Sequence, residues 1–76
     1  MEARKKKEML RKFGKRLSEI RIKKGLSLRE LAALCDVDSS DIQKYESGLV
    51  NPTIATVGDL ATGLGVAPKD LLDFDI

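Results

Sequence analysis

Leu, Ile, Val and Ala return at three- and four-residue steps in a series of short blocks along this chain, and most blocks are opened by a capping residue or closed by glycine. Such punctuation limits the fold to a set of short helices. The chain has 76 residues, 42% of them apolar and only 4% aromatic, so its core has to be aliphatic and carried on helix stripes. A chain this short buries only about 60% of its unfolded surface and leaves no room for a second domain. One all-α domain spanning residues 1–76 is the expected organisation, with no repeat, no low-complexity linker and no plausible strand pair.

Five segments follow from the caps. The first is expected from about Arg4 to Lys24, with Leu10, Phe13, Leu17 and Ile20 on one stripe and Gly25 ending it. Ser27-Leu28-Arg29-Glu30 has the form of a capping box and starts a second helix over Leu28–Cys35, with Leu28, Leu31, Ala32 and Cys35 apolar. The chain must then turn at Asp36, which tolerates the left-handed conformation better than most residues. Asp38 is placed to cap a third helix over Ser39–Ser47, stopped by Gly48. Thr53 caps a fourth to about Leu64, where Gly65 ends it, and Pro68 suits the first turn of a short fifth through Leu72. Gly58 and Gly63 inside the fourth helix mark either close helix approach or a weak helix.

The third segment carries the functional signal. On a helical wheel Ile42 and Tyr45 point one way, while Ser40, Gln43, Lys44 and Ser47 point the other, with Ser39 at the leading edge. Two short helices joined by a tight turn, the second with small polar side chains outward, are how a chain offers a helix to the DNA major groove. Among those side chains Lys44 suits guanine O6 or N7, Gln43 suits adenine, and the serines suit almost any base edge. A solvated helix face is the competing explanation.

The stretch Arg21-Ile-Lys-Lys-Gly-Leu-Ser-Leu-Arg-Glu-Leu-Ala-Ala-Leu-Cys-Asp-Val-Asp-Ser-Ser-Asp-Ile-Gln-Lys-Tyr-Glu-Ser-Gly, followed by Asn51-Pro52-Thr53 and Leu60-Ala61 with Leu64-Gly65-Val66, resembles the lambda-repressor-like, or Xre-type, helix-turn-helix family. The resemblance covers about residues 13–72 and leaves a basic N-terminal extension over 1–12. It implies a compact five-helix fold with the helix-turn-helix at helices 2 and 3. It also implies sequence-specific binding of double-stranded DNA by a repressor-like transcriptional regulator, normally a homodimer. Position by position, the resemblance implies Ser39, Ser40 and Lys44 as base readers, with Gln43 beside them near bases or phosphate. Arg21 and Glu46 match a structural pair that bridges helices 1 and 3. Phosphate contacts are expected from Ser27, the amide of Leu28, Arg29, Ser47, Asn51 and Thr53, although Ser27 and Thr53 also have ordinary work as caps.

Some residues depart from the family pattern. Leu28 stands where the family commonly has a glutamine that braces a reader, Leu49-Val50-Asn51 replaces a loop that is often basic, and Asp38 and Asp41 put negative charge at the start of the recognition helix. Asp36 stands where a turn glycine is usual, at a modest expected strain, and Ala67 lacks the usual cap for the fifth helix. Charge is divided along the chain: residues 1–24 carry eleven Lys/Arg against three Asp/Glu, a net +8, and residues 25–76 carry three against nine, a net −6. The basic segment either meets phosphates or forms a solvated helix end, as for Lys5, Lys6 and Lys7. The acidic half supports the alternative of an antitoxin-like or adaptor module on the same fold, with weak DNA binding.

Leu71, Leu72, Phe74 and Ile76 place four large apolar groups in a terminal stretch, read as a dimer surface unless Leu71 and Leu72 close the core instead. A symmetric dimer would set two recognition helices about 34 Å apart. No catalysis is expected: the chain has no His, no Gly-rich loop and no metal-ligand cluster, and Cys35 falls on an apolar stripe. The expectations are completed by no cofactor, no metal, no membrane partner and no evident small-molecule ligand. A single unpaired cysteine and the lack of an apolar signal region point to the cytoplasm.

Overall fold

The computed structural model describes residues 1–75, which form five helices and no strand. These are α1 (Ala3–Lys23), α2 (Leu28–Leu34), α3 (Ser39–Glu46), α4 (Ile54–Leu64) and α5 (Pro68–Leu71). At 1.5 Å per residue α1 is about 30 Å long, close to the 35 Å long axis of a molecule only 21 and 20 Å across the other two. The remaining helices gather along its C-terminal part: α1 packs on α3 and α5, α2 on α3 and α4, and α4 on α5.

The core takes one fully buried aliphatic side chain from every helix: Leu17, Leu31, Ile42, Leu60 and Leu71. Phe13, Ile20, Val57, Ala61 and Leu64 complete it, and no polar or charged residue is buried among those described. The helix ends are set by local chemistry. Ser27 Oγ accepts from the Glu30 amide at 3.0 Å, and the Ser27 amide donates to Glu30 Oε1 at 2.8 Å, so both halves of the capping box form. These hydrogen bonds hold the Glu30 carboxyl below its ordinary pKa. A depressed pKa means that this support is present at neutral pH and is lost as pH falls through the carboxylate range. Ser27→Ala is expected to lower stability by about 1 kcal/mol, read as a lower urea midpoint with an unchanged slope.

α1, α3 and α4 end in the same way. A glycine with φ near +70° follows each, and paired hydrogen bonds close the last turn, as in Gly48 N to Tyr45 O and Leu49 N to Lys44 O. The sharp stop after α3 frees the chain to cross to α4, where Thr53 Oγ1 accepts from the Thr56 amide at 3.1 Å.

Several expectations are corrected. No residue other than glycine has positive φ among those described, so Asp36 is not left-handed and carries no such strain. The turn is made one residue earlier, where Cys35 leaves the helix in an extended conformation (φ −139°, ψ 172°). Asp38 occupies the N-cap position of α3, but its side chain makes no capping hydrogen bond. Cys35, Ser47 and Leu72 cap their helices rather than continue them. At α5 the missing cap of Ala67 is half replaced, since Asp70 Oδ2 accepts from the Ala67 amide at 3.0 Å. The two glycines of α4 differ: a Cβ at Gly63 would stand 2.9 Å from Cys35 Cβ, whereas one at Gly58 would meet nothing within 4 Å. Only Gly63 marks close approach.

The expected dimer surface also divides. Leu71 is fully buried in the core and presents nothing to a partner, because α5 turns it inward to close the open end of the bundle. Leu72 remains 46% exposed, Phe74 packs partly against the core, and Ile76 lies outside the described residues.

Candidate nucleic-acid interface

α3 is anchored from beneath by Ile42, which is fully buried, and by Tyr45, which packs against the core. With its apolar side held there, the opposite side is left to solvent: Ser40, Gln43, Lys44 and Ser47 are exposed and Ser39 is half-buried at the N-terminal edge. No other element of the described chain covers this face.

Two contacts with α1 fix the attitude of α3. Arg21 Nε donates to Glu46 Oε2 at 2.7 Å and Nη2 donates to Oε1 at 2.9 Å, a bidentate pair, while Nη1 donates to the carbonyl of Leu26 at 2.8 Å. All three guanidinium nitrogens are engaged within the protein, so Arg21 serves the scaffold. The hydrogen bonds to Glu46 raise its pKa further above an already high value, outweighing the opposing effect of burial. The second contact is Gly14, where a Cβ would stand 2.4 Å from the carbonyl oxygen of Tyr45 and 2.5 Å from that of Glu46. α1 and the last turn of α3 therefore touch backbone to backbone. Sequence reasoning passed over Gly14, although a glycine between Phe13 and Leu17 inside a long helix costs about 1 kcal/mol relative to alanine and so signals a steric need.

The polar groups expected at phosphate lie around this face with different freedom. Arg29 and Asn51 are exposed. Ser27 and Thr53 are exposed but occupied as caps, and Ser47 Oγ donates to the Gln43 carbonyl at 2.9 Å. Leu28 turns its side chain toward the core, which leaves its backbone amide as its only polar offering. Arg29 shares a cleft with Asp36, Asp38 and Asp41, so a cation stands near the carboxylates at the start of α3.

Burial raises the Cys35 pKa, with Asp59 and Asp36 adding to the effect against a hydrogen bond from the Val37 backbone; the thiol donates to the Leu31 carbonyl at 3.2 Å. It is a protonated, packed side chain at neutral pH. Among the described residues no group of His, Cys, Asp or Glu is placed to hold a metal ion, and no helix is long and apolar enough to cross a membrane.

The Helix-turn-helix family model matches residues 17–71, which takes in α2, α3, α4, α5 and the end of α1 that carries Arg21. The chain belongs to the lambda-repressor-like helix-turn-helix family. Among its relatives in that family, control protein C.BamHI of Bacillus amyloliquefaciens is 38% identical over 63 residues, covering 82% of this chain and 78% of the relative. The HTH-type transcriptional regulator DdrOP3 of Deinococcus deserti is 32% identical over 62 residues, and there the match covers 82% of this chain but only 48% of the longer relative. In three dimensions the fold matches the restriction-modification controller protein C.AhdI from Aeromonas hydrophila with a TM-score of 0.80 and 42% identity, covering 82% of this chain and 94% of that one. It matches the clp gene regulator ClgR from C. glutamicum equally well in shape, with a TM-score of 0.80 at 26% identity over 84% of this chain and 82% of that one. Family membership places the helix-turn-helix at α2 and α3. It does not reach the first part of α1, since the family match begins at Leu17.

Proposed function

We propose that this chain binds double-stranded DNA sequence-selectively and acts as a repressor-like transcriptional regulator, with α3 lying in the major groove. The observation that carries this reading is the division of α3: Ile42 is fully buried, while Ser40, Gln43 and Lys44 form an uncovered hydrogen-bonding face. Lys44 donates to guanine, Gln43 pairs with adenine, and Ser39 and Ser40 read whichever edges adjoin them. Arg29 and Asn51, with the amides at the starts of α2 and α4, hold the backbone and set the register, and Ser47 joins them only when its hydroxyl turns away from the Gln43 carbonyl. The controller and regulator names of C.BamHI, C.AhdI, DdrOP3 and ClgR support a regulatory role. The protein does no chemistry on its ligand.

The working unit is a homodimer. Ile54 at 78% exposure and Leu72 at 46% are large apolar groups on the surface, and they flank a cleft also lined by Met9, Pro52 and Phe74. A second copy burying this patch would pair two α3 helices for a near-palindromic site. Ile54→Asp is expected to shift the sedimentation equilibrium toward monomer and to weaken operator binding without unfolding the protein.

Selection from random duplexes with purified protein, followed by titration at several salt concentrations, tests the function. The expected result is an enriched motif bound with a steep negative salt slope. Lys44→Ala should relax preference at one base position by about 1–3 kcal/mol. A loss spread evenly over all sequences would remove Lys44 from the base readers, and the absence of any motif would favour the adaptor function that Asp38 and Asp41 suit.

A further inference from the structure

The stripe of α1 that docks α3 does not end where α3 ends. Residues 4, 7, 11, 14, 18 and 21 follow one another at three- and four-residue steps and so share one face of the helix. The C-terminal half of this face is used up: Gly14 lies against the Tyr45 and Glu46 carbonyls, and Arg21 holds Glu46. The N-terminal half runs on past the last turn of α3, and its members are Arg4, Lys7 and Arg11. Together with Glu8 they line a groove whose far wall is Ser47 and Gly48, the residues that follow α3.

Gly48 fixes how closely this stripe approaches. Its φ is +73°, and a Cβ there would stand 3.0 Å from the Arg11 Cα, so the backbone at the end of α3 lies directly on α1 beside Arg11. The stripe is consequently rigid with respect to the recognition helix. Among the described residues Lys7 and Arg11 make no ion pair and are exposed. Arg4 lies 3.7 Å from Glu2 with its side chain 91% exposed, a pair that solvent screens. Glu8, the one carboxylate on the groove, is drawn to Lys12 at 3.4 Å. Lys12 itself donates to the Asp75 carbonyl, and Arg16 donates to that of Asp70, so these two basic residues beside the stripe are engaged within the protein.

A helix that turns Ser39, Ser40, Gln43 and Lys44 to the bases brings the residues just past it, Ser47 and Gly48, toward the wall of a groove about 12 Å wide, where the phosphates run. At that end the Leu49-Val50-Asn51 loop offers no charge. We propose that Arg4, Lys7 and Arg11 form a rigid phosphate-binding stripe that holds the DNA backbone beside the C-terminal end of α3 and takes over the task the uncharged loop cannot perform. The stripe is about 10 Å long, enough to meet several consecutive phosphates. It lies wholly outside the segment that the family model matches, and it rests on the reading of α3 as the recognition helix.

Two variants of equal charge separate this from a general electrostatic effect. One is Arg4→Gln/Lys7→Gln/Arg11→Gln, on the stripe; the other is Lys5→Gln/Lys6→Gln/Lys23→Gln, at exposed positions on other faces of α1. Binding to the selected duplex is measured between 0.05 and 0.2 M salt, with helicity followed by circular dichroism. Removing three phosphate contacts should flatten the salt slope by about 2.7 per protomer, a difference of about 40-fold in affinity change across that range. The base preference of the stripe variant should persist, and the control variant should keep a slope near that of the unmodified protein. Should the triple variant fold poorly, Arg4→Gln alone, in the first turn, is expected to flatten the slope by about 0.9. Equal slopes for both triple variants, whether changed or unchanged, would overturn the stripe while leaving the α3 reading intact. An unmodified protein with no preference among duplexes would overturn the α3 reading and the stripe's placement with it.

Discussion

Gly14→Ala is expected to destabilise the fold by about 3 kcal/mol, at the upper end of what overpacking costs. Helix propensity alone predicts the opposite sign, because alanine is favoured over glycine inside a helix by about 1 kcal/mol. Geometry decides between them. The added methyl would stand 2.4, 2.5 and 2.8 Å from the Tyr45 oxygen, the Glu46 oxygen and the Glu46 carbonyl carbon, and all three are backbone atoms that no rotamer change can move aside. α1 and α3 must separate, and both are held by the same core through Leu17 and Ile42. At about 4–8 °C per kcal/mol for a domain of this size, the thermal midpoint should fall by about 12–24 °C. Gly58→Ala supplies the matched control: with nothing within 4 Å of its Cβ, it should stabilise by about 1 kcal/mol. Thermal unfolding of the two variants followed by circular dichroism checks the pair. Destabilisations of similar size at both positions would mean that the backbone contact at Gly14 has no special weight. Because the displaced element is the last turn of α3, Gly14→Ala should also lose operator binding at temperatures where it is still folded.

The elements that were legible in the sequence are those whose chemistry is local. Ser27 with Glu30 and Thr53 with Thr56 start their helices wherever the rest of the chain lies, and Gly25, Gly48 and Gly65 stop theirs for the same reason. The inward direction of Ile42 and the outward direction of Gln43 and Lys44 follow from the helical period alone. What was not legible depends on which surfaces meet. Leu71 and Leu72 are adjacent apolar residues, and only the docking of α5 on α1 and α4 decides that the first is buried and the second exposed. Asp36 needs no left-handed conformation because the chain leaves the helix one residue earlier, at the extended Cys35, a boundary that the apolar period does not mark. The value of Arg4, Lys7 and Arg11 was hidden among eleven basic residues of similar appearance, because sequence does not reveal how far along α1 the end of α3 would lie.

Arg21→Ala and Glu46→Ala should each destabilise by about 2 kcal/mol, between the small worth of an exposed pair and the loss on breaking a fully buried one, since the two side chains are part-buried and retain 14% and 12% of their exposure. Arg21→Ala should be the more costly, because it also strips the Leu26 carbonyl of its donor at 2.8 Å, and a lost hydrogen bond of that kind adds about 1 kcal/mol. The double variant should cost clearly less than the two singles together, by about 2 kcal/mol, as expected when each single leaves its partner uncompensated. Urea unfolding of the three variants measures this, and strictly additive losses would show that the pair has no energetic meaning. Arg21→Lys tests geometry separately from charge: one ammonium cannot satisfy both Glu46 oxygens and the Leu26 carbonyl in the arrangement of a planar guanidinium, so most of the loss should remain. The pair should also be insensitive to pH in the neutral range. The Arg21 pKa is raised on folding, so its contribution is fully present below the already high unfolded value and fades only as pH rises through the folded one. Functionally the pair joins the long basic helix to the helix that reads bases. Breaking it should weaken DNA binding more than the loss of any single exposed phosphate contact, because α3 would then meet the groove without a defined attitude.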